Sequence, residues 1–324
     1  QRSEMRQPMT TPQTTGIVPV VAMNTLRVAL RDRTVLWLAL LFLAMVVLSA
    51  YLGWSATNTV NHIYTQALPM LRATGLPVPP NPLADMPPLA MLRNMTTYIS
   101  LLGALVAIVM GFQIIAEDLR SGVFPLIASR PLHRAAYAGG KMLALLVSIA
   151  GLLGIAAAGT AITVVLMPGN PMSSADWFSL LKFYSVSWLF LSAFGLMAMG
   201  SAAWSRSESV ALLVPVTAWL VLTFVFPQLS ANINPMAALN PIKAMVAPPV
   251  SAFFDFTGPV LAPFSLVGAY RDVAATLLGF APADPSSLGM TGGLTLISIA
   301  NLTFGALTMA ALTRLSGTRS NTDE

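Results

Sequence analysis

Six runs of about twenty residues or more contain no Asp, Glu, Lys, Arg or His, and they constrain this chain more than any motif does. They cover 34–54, 95–116, 142–167, 184–203, 210–229 and 294–313. A helix needs about 20 apolar residues to cross the hydrocarbon of a bilayer, so each run is long enough to be one transmembrane helix. The rest of the composition agrees. Of 324 residues, 56% are hydrophobic and only 9% charged, and the mean hydropathy is +0.73. A soluble domain carries roughly 25% charged residues. With so little charge, most of this surface must face lipid, so the predicted fold is an all-α membrane protein of six transmembrane helices.

The basic residues predict the orientation. With the N-terminus inside, the inner segments hold Arg2, Arg6, Arg27, Arg31, Arg33, Arg120, Arg130, Arg134, Lys141, Arg206, Arg314 and Arg319. The outer segments, longer in total, hold only Arg72, Arg93, Lys182, Lys243 and Arg271. That excess places both termini in the cytoplasm. Lys182 precedes the fourth run, where a long side chain can snorkel to the interface. The fifth run carries Pro215, with Pro227 near its end, which predicts a kinked or broken helix. The first run is too long for a signal-peptide core and lacks a clear cleavage site, so it is expected to stay in the membrane.

The expected organisation has three parts. Residues 1–33 form a cytoplasmic N-terminus, 34–315 the six-helix domain, and 316–324 a cytoplasmic tail. Between Val20 and Arg33, the residues Ala22, Met23, Leu26, Ala29 and Leu30 fall on one helical side and Asn24, Arg27 and Arg31 on the other. Such a basic amphipathic helix suits the inner membrane surface. Outer loops are expected at 55–94, 168–183 and 230–293. The first is rich in proline near Leu76-Pro77-Val78-Pro79-Pro80-Asn81-Pro82 and is expected to be extended and irregular. Within the last, Leu266, Val267, Tyr270, Val273, Ala274, Leu277 and Leu278 make an apolar stripe opposite Arg271 and Asp272. Ser265 is the expected N-cap and Gly279 the expected stop, and the helix is expected on the outer membrane interface. Ala150, Gly154 and Ala158 have small-xxx-small spacing, a helix-packing signal.

Several chemistries are excluded. There is no cysteine, hence no thiol nucleophile, disulfide or thiolate metal site. Eighteen methionines show no Met-x-x-Met cluster, so they read as packing rather than copper ligands, and lone His62 is no metal site. An ion-coupled secondary transporter normally places ionisable residues inside its spans. An intramembrane enzyme needs a nucleophile–base pair or metal ligands at that depth. Neither pattern is present, and nothing suggests a nucleic-acid partner.

The stretch with functional content is the inner segment 117–141 between the second and third runs. Acidic Glu117 and Asp118 open it, Phe124, Leu126 and Ile127 supply apolar residues, and Arg130, Arg134 and Lys141 close it. Such a folded knob can dock into a groove on a soluble partner, its charges setting register and its apolar residues the buried contact. Glu117-Asp118-x-x-Ser121-Gly122, followed by Ser129-Arg130-Pro131-x-x-Arg134-x-x-Tyr137-x-x-Gly140-Lys141, resembles the first cytoplasmic loop of ABC-2 type transporter permeases. The run Leu26-Arg27-x-Ala29-Leu30-Arg31-Asp32-Arg33 is also similar to that family, and within it the chain resembles the permeases grouped with the nitrous-oxide-reductase maturation transporter. It departs from them in its enlarged first outer loop.

The resemblance implies an elbow helix before the first span and a coupling helix within Arg120–Ser129 that sits in a cleft of a separate ATPase subunit. Glu117, Asp118, Arg120, Gly122, Phe124, Leu126, Ser129, Arg130, Pro131, Arg134, Tyr137 and Lys141 then form the coupling site. It implies no catalytic residue and no metal or cofactor in this chain, with ATP and Mg bound by the partner. The sequence agrees: Gly139-Gly140-Lys141 is followed by Met142, and no glycine stands five residues before Gly140, so there is no P-loop. Two ATPase copies, a second permease copy by closed two-fold symmetry, lipid and a periplasmic partner are the implied company, in a bacterial inner membrane. The function implied is an exporter-type permease. The alternative is a membrane subunit that conveys ATP-driven motion to an outer partner without transporting.

Overall fold

The computed structural model describes residues 16–73, 87–120, 134–166, 172–205, 207–231, 252–261, 264–280 and 288–318. Among these residues the chain is helical, with no strand. A short α1 (Ile17–Ala29) leads into α2 (Arg33–Ala73). Four long helices follow: α3 (Pro88–Arg120), α4 (Arg134–Leu166), α5 (Ser174–Trp204) and α6, which spans Glu208–Leu229. Two short helices, α7 (Ala252–Leu261) and α8 (Leu266–Leu278), precede α9 (Gly289–Thr318). Helices α2, α3, α4, α5, α6 and α9 are long and apolar enough to cross a membrane, as the six runs predict. Six consecutive crossings put α1 and the end of α9 on one side, here the α1 side, and α7 and α8 on the other, the α8 side.

Helices α3 and α5 are the centre of the bundle, buried over most of their apolar length, while the other four spans surround them. The centre is set by small residues that let backbones touch. A Cβ built on Gly111 would lie 2.1 Å from the Gly195 carbonyl oxygen, so these two helices cross at the closest spacing glycine permits. Around that crossing Phe190, Phe194, Ile108 and Ile115 are fully buried. Elsewhere a Cβ on Gly53 would strike the Met91 carbonyl, which holds the start of α3 level with Gly53 of α2.

The first span does not stop near Trp54. Helix α2 continues unbroken for 41 residues, about 60 Å and roughly twice the hydrocarbon thickness. Its last fully buried residue is Ala50, Trp54 is the last of its side chains packed on the core, and the residues beyond are mostly exposed. No proline or glycine interrupts Trp54 to Leu68, and the Thr57, Thr59 and Thr65 hydroxyls bond back to carbonyls of the preceding turn. The proline-rich 76–82 stretch lies outside the described residues.

The fifth span differs from expectation in where it deviates. Pro215 sits inside α6 without a break; instead the backbone widens to a π-turn over Val221–Val225. Pro227 explains the place. It has no N–H to give the Thr223 carbonyl, and its ring would collide with that carbonyl in a regular helix. Widening the turn relieves the collision.

Helix α8 has the predicted caps. The Ser265 hydroxyl accepts from Gly268 N at 3.1 Å, and Gly279 closes the helix at φ 76°. The expected polar face, however, is largely covered: Asp272 is buried and Arg271 half-buried, and α8 is wedged between α5 and α9. Tyr270 stacks on Phe190 at 4.3 Å and its hydroxyl lies 2.9 Å from Ser187 Oγ, while Gly293 lets the α9 backbone approach Ala269. Helix α1 packs on α4, where Gly140 leaves room for Val21 and the Val18 carbonyl. Ala22 and Thr25 are therefore its buried residues, and Met23 and Leu30 of the expected apolar side are exposed.

Candidate functional site

On the α1 side, the ends of α3, α4 and α6 bring together the charged residues that frame segment 121–133. Helix α3 ends with Glu117, Asp118, Leu119 and Arg120, and α4 begins at Arg134. One and two turns into α4, Tyr137 and Lys141 face α3 and are buried. Lys141 Nζ lies 2.6 Å from Asp118 Oδ2. The Tyr137 hydroxyl donates to the same oxygen at 2.6 Å.

Lys141 also points toward the Ile114 carbonyl at 3.4 Å and lies 5.7 Å from the centre of the Tyr137 ring. A buried ammonium at the C-terminal turn of α3 meets both a carboxylate and the negative end of the helix, two attractions that add. The Asp118–Tyr137–Lys141 clip therefore closes the base of the segment and locks the second span to the third.

A second tie runs to the fifth span. Arg120 pairs with Glu208, the first residue of α6, with both side chains about half exposed. Glu208 is absent from the residues singled out by sequence. It follows the run Ser205-Arg206-Ser207, which carries no motif, and nothing local ties it to a helix end 88 residues earlier. The available signal is weaker: an acid in the first turn of a helix next to a membrane exit. Beside these ties, one cavity of about 390 Å³ opens between α1, the start of α2 and the end of α3, with Arg31, Asp32, Glu117 and Asp118 in its wall. Another, of about 780 Å³, opens between α3, α5, α6 and α9, where Arg314 lies 5.2 Å from the centre of the Trp204 ring.

Of the sequence-selected coupling residues, Asp118, Tyr137 and Lys141 come into one cluster and Arg120 into the Glu208 pair. Glu117 and Arg134 are exposed at the two helix ends. Gly122, Phe124, Leu126, Ser129, Arg130 and Pro131 lie outside the described residues. Ala150, Gly154 and Ala158 are on the exposed side of α4, and a Cβ on Gly154 would meet nothing within 4 Å. The chain's own close crossing uses Gly111 and Gly195 instead. With Ala107, Gly111 also has small-xxx-small spacing, so the signal was present in the second run as well.

A family model described as ABC-2 family transporter protein matches residues 20–300. A comparison with curated proteins finds no match.

Proposed function

We propose, from the premise that the chain belongs to the ABC-2 family of transporter membrane proteins, that it is the permease subunit through which a separate ATPase drives export. The observation that carries this reading is the buried Asp118–Tyr137–Lys141 clip at the base of segment 121–133. A docked segment can move spans only if its ends are held to them, and here one end belongs to α3, at the centre of the bundle. The Arg120–Glu208 pair extends the hold to α6. In this reading the Arg120–Ser129 segment is the coupling helix, ATP and Mg are bound by the partner, and the α1 side is cytoplasmic, in keeping with the basic-residue excess there. Two permeases and two ATPases form the assembly in a bacterial inner membrane, and within the family the chain resembles the permeases grouped with the nitrous-oxide-reductase maturation transporter.

One observation favours a second role for the same subunit. Beyond Gly53, α2 continues for 20 residues to Ala73, about 30 Å of helix on the α8 side. A rigid rod there suits transmission of motion to a periplasmic partner.

Co-purification of the ATPase with permease variants, alongside the rate of ATP hydrolysis, tests the proposal. Phe124→Ala, Leu126→Ala and Glu117→Lys should release the ATPase or uncouple its hydrolysis, while Arg72→Ala, far from the site, leaves both unchanged. Loss of a central anchor commonly costs about 2 kcal/mol, roughly a thirtyfold weakening. If the loop variants keep wild-type association and activity, segment 120–129 is not the joint.

A further inference from the structure

Helix α8 carries a charge that no described neighbour answers. Arg271 lies in its second turn, and its Nε and Nη2 are buried with no hydrogen-bond partner among the described residues. Further along the same face, Ala275 and Leu278 are buried apolar residues. The adjacent Tyr270 hydroxyl is already engaged with Ser187. A guanidinium keeps its proton at neutral pH, so Arg271 is a cation. A buried charge without a counter-charge is strongly unfavourable, and charges at membrane depth persist where function uses them.

Two more polar groups, on the fifth span, lack partners among the described residues. Trp219 Nε1 and Thr223 Oγ1, one helical turn apart on α6, are buried without a hydrogen bond, and the π-turn that contains Thr223 packs against α8. The depth is informative too. Lys182 lies 4.3 Å from the centre of the Phe178 ring, as a snorkelling residue at the α8-side boundary does. Ser187, the partner of Tyr270, is five residues further along α5, about 8 Å below that boundary. The first carbons of lipid chains occupy that zone, with the headgroups at the boundary above it, within reach of a long arginine side chain.

We propose that Arg271 anchors a binding site for the anionic headgroup, phosphate or carboxylate, of an amphiphile that enters from the α8-side leaflet. A guanidinium offers a planar fork of donors that matches either anion. Trp219 and Thr223 add an indole N–H and a hydroxyl on the adjoining wall. The site is independent of ATPase coupling, which lies at the opposite end of the spans.

The test uses the full chain purified in a neutral glycosidic detergent, with thermal unfolding and native mass spectrometry as readouts. Phosphatidylglycerol should raise the Tm saturably and remain bound, whereas diacylglycerol, which lacks the phosphate, should do neither. Arg271→Met should weaken the phosphatidylglycerol response at least about tenfold, the scale of a lost charged hydrogen bond. Arg271→Lys should keep part of it. Without ligand, Arg271→Met should be at least as stable as wild type, because an unanswered buried charge has been removed. A Tm rise with inorganic phosphate alone, lost in Arg271→Met, assigns the same anion site to a free ion rather than a lipid. Equal responses of wild type and Arg271→Met, no response in either, or a ligand-free Arg271→Met chain that is much less stable or fails to fold would overturn the proposal.

Discussion

Single side chains decide whether the two central spans can meet. At Gly111 even a methyl group would collide with the Gly195 carbonyl, whereas at Gly154 it would meet nothing. Gly111→Ala is therefore expected to destabilise the chain by about 1–3 kcal/mol, the usual cost of overpacking a close contact. Gly154→Ala is expected to leave the Tm unchanged or raise it slightly, since alanine favours helix. Thermal unfolding of both variants in detergent checks the contrast. The Asp118–Lys141 pair gives a second residue-scale expectation. Either Asp118→Asn or Lys141→Met alone strands a buried partner, a loss of about 3–5 kcal/mol. Combining Asp118→Asn with Lys141→Met removes both charges, keeps an acceptor for Tyr137 and should recover much of the loss. A double-mutant cycle on the Tm, in which the single and double variants prove additive, would show that the two residues do not interact.

At the scale of elements, α8 shows how local signals and surroundings part company. Its caps were legible because they are local: Ser265 reaches an N–H three residues on, and Gly279 takes a left-handed turn. Its setting was not. Arg271 and Asp272 look like the water-facing side of an amphipathic helix, yet Asp272 and the Nε and Nη2 of Arg271 are buried because α5, α6 and α9 supply walls from distant parts of the chain. Gly279→Ala should destabilise α8 by more than a cap change alone. The added methyl meets a positive φ and would lie 2.9 Å from Pro87 Cβ. Ser265→Ala should cost only about 1 kcal/mol. Hydrogen exchange of the 266–278 amides, faster in Gly279→Ala than in Ser265→Ala, is the expected order. Helix α6 carries the same lesson, since two prolines read alike in sequence and only Pro227 adjoins the π-turn.

For the whole molecule, the central expectation is sidedness. The chain has no cysteine, so single cysteines report cleanly. Thr59→Cys, exposed on the extension of α2, should react with an impermeant maleimide in intact cells. Ala135→Cys, exposed at the start of α4, should react only after the membrane is opened. The reverse pattern would invert the topology and place the proposed coupling segment on the wrong side for ATP.

What the sequence determined by itself is the number of spans and the class of molecule. Transfer of an uncharged twenty-residue run into lipid depends on that run alone, so hydropathy along the chain is enough. The loop motif likewise identified the family and all three residues of the clip, because Asp118, Tyr137 and Lys141 stand within 24 positions of one another. Tertiary structure decided the rest: which spans are central, that Gly111 meets Gly195, that Glu208 answers Arg120, and that Arg271 is enclosed. Each of these depends on close approach between residues far apart in the chain. In lipid, where apolar surface is satisfied on any face, such approaches are selected by backbone fit and polar pairing between helices, which no single run of sequence encodes.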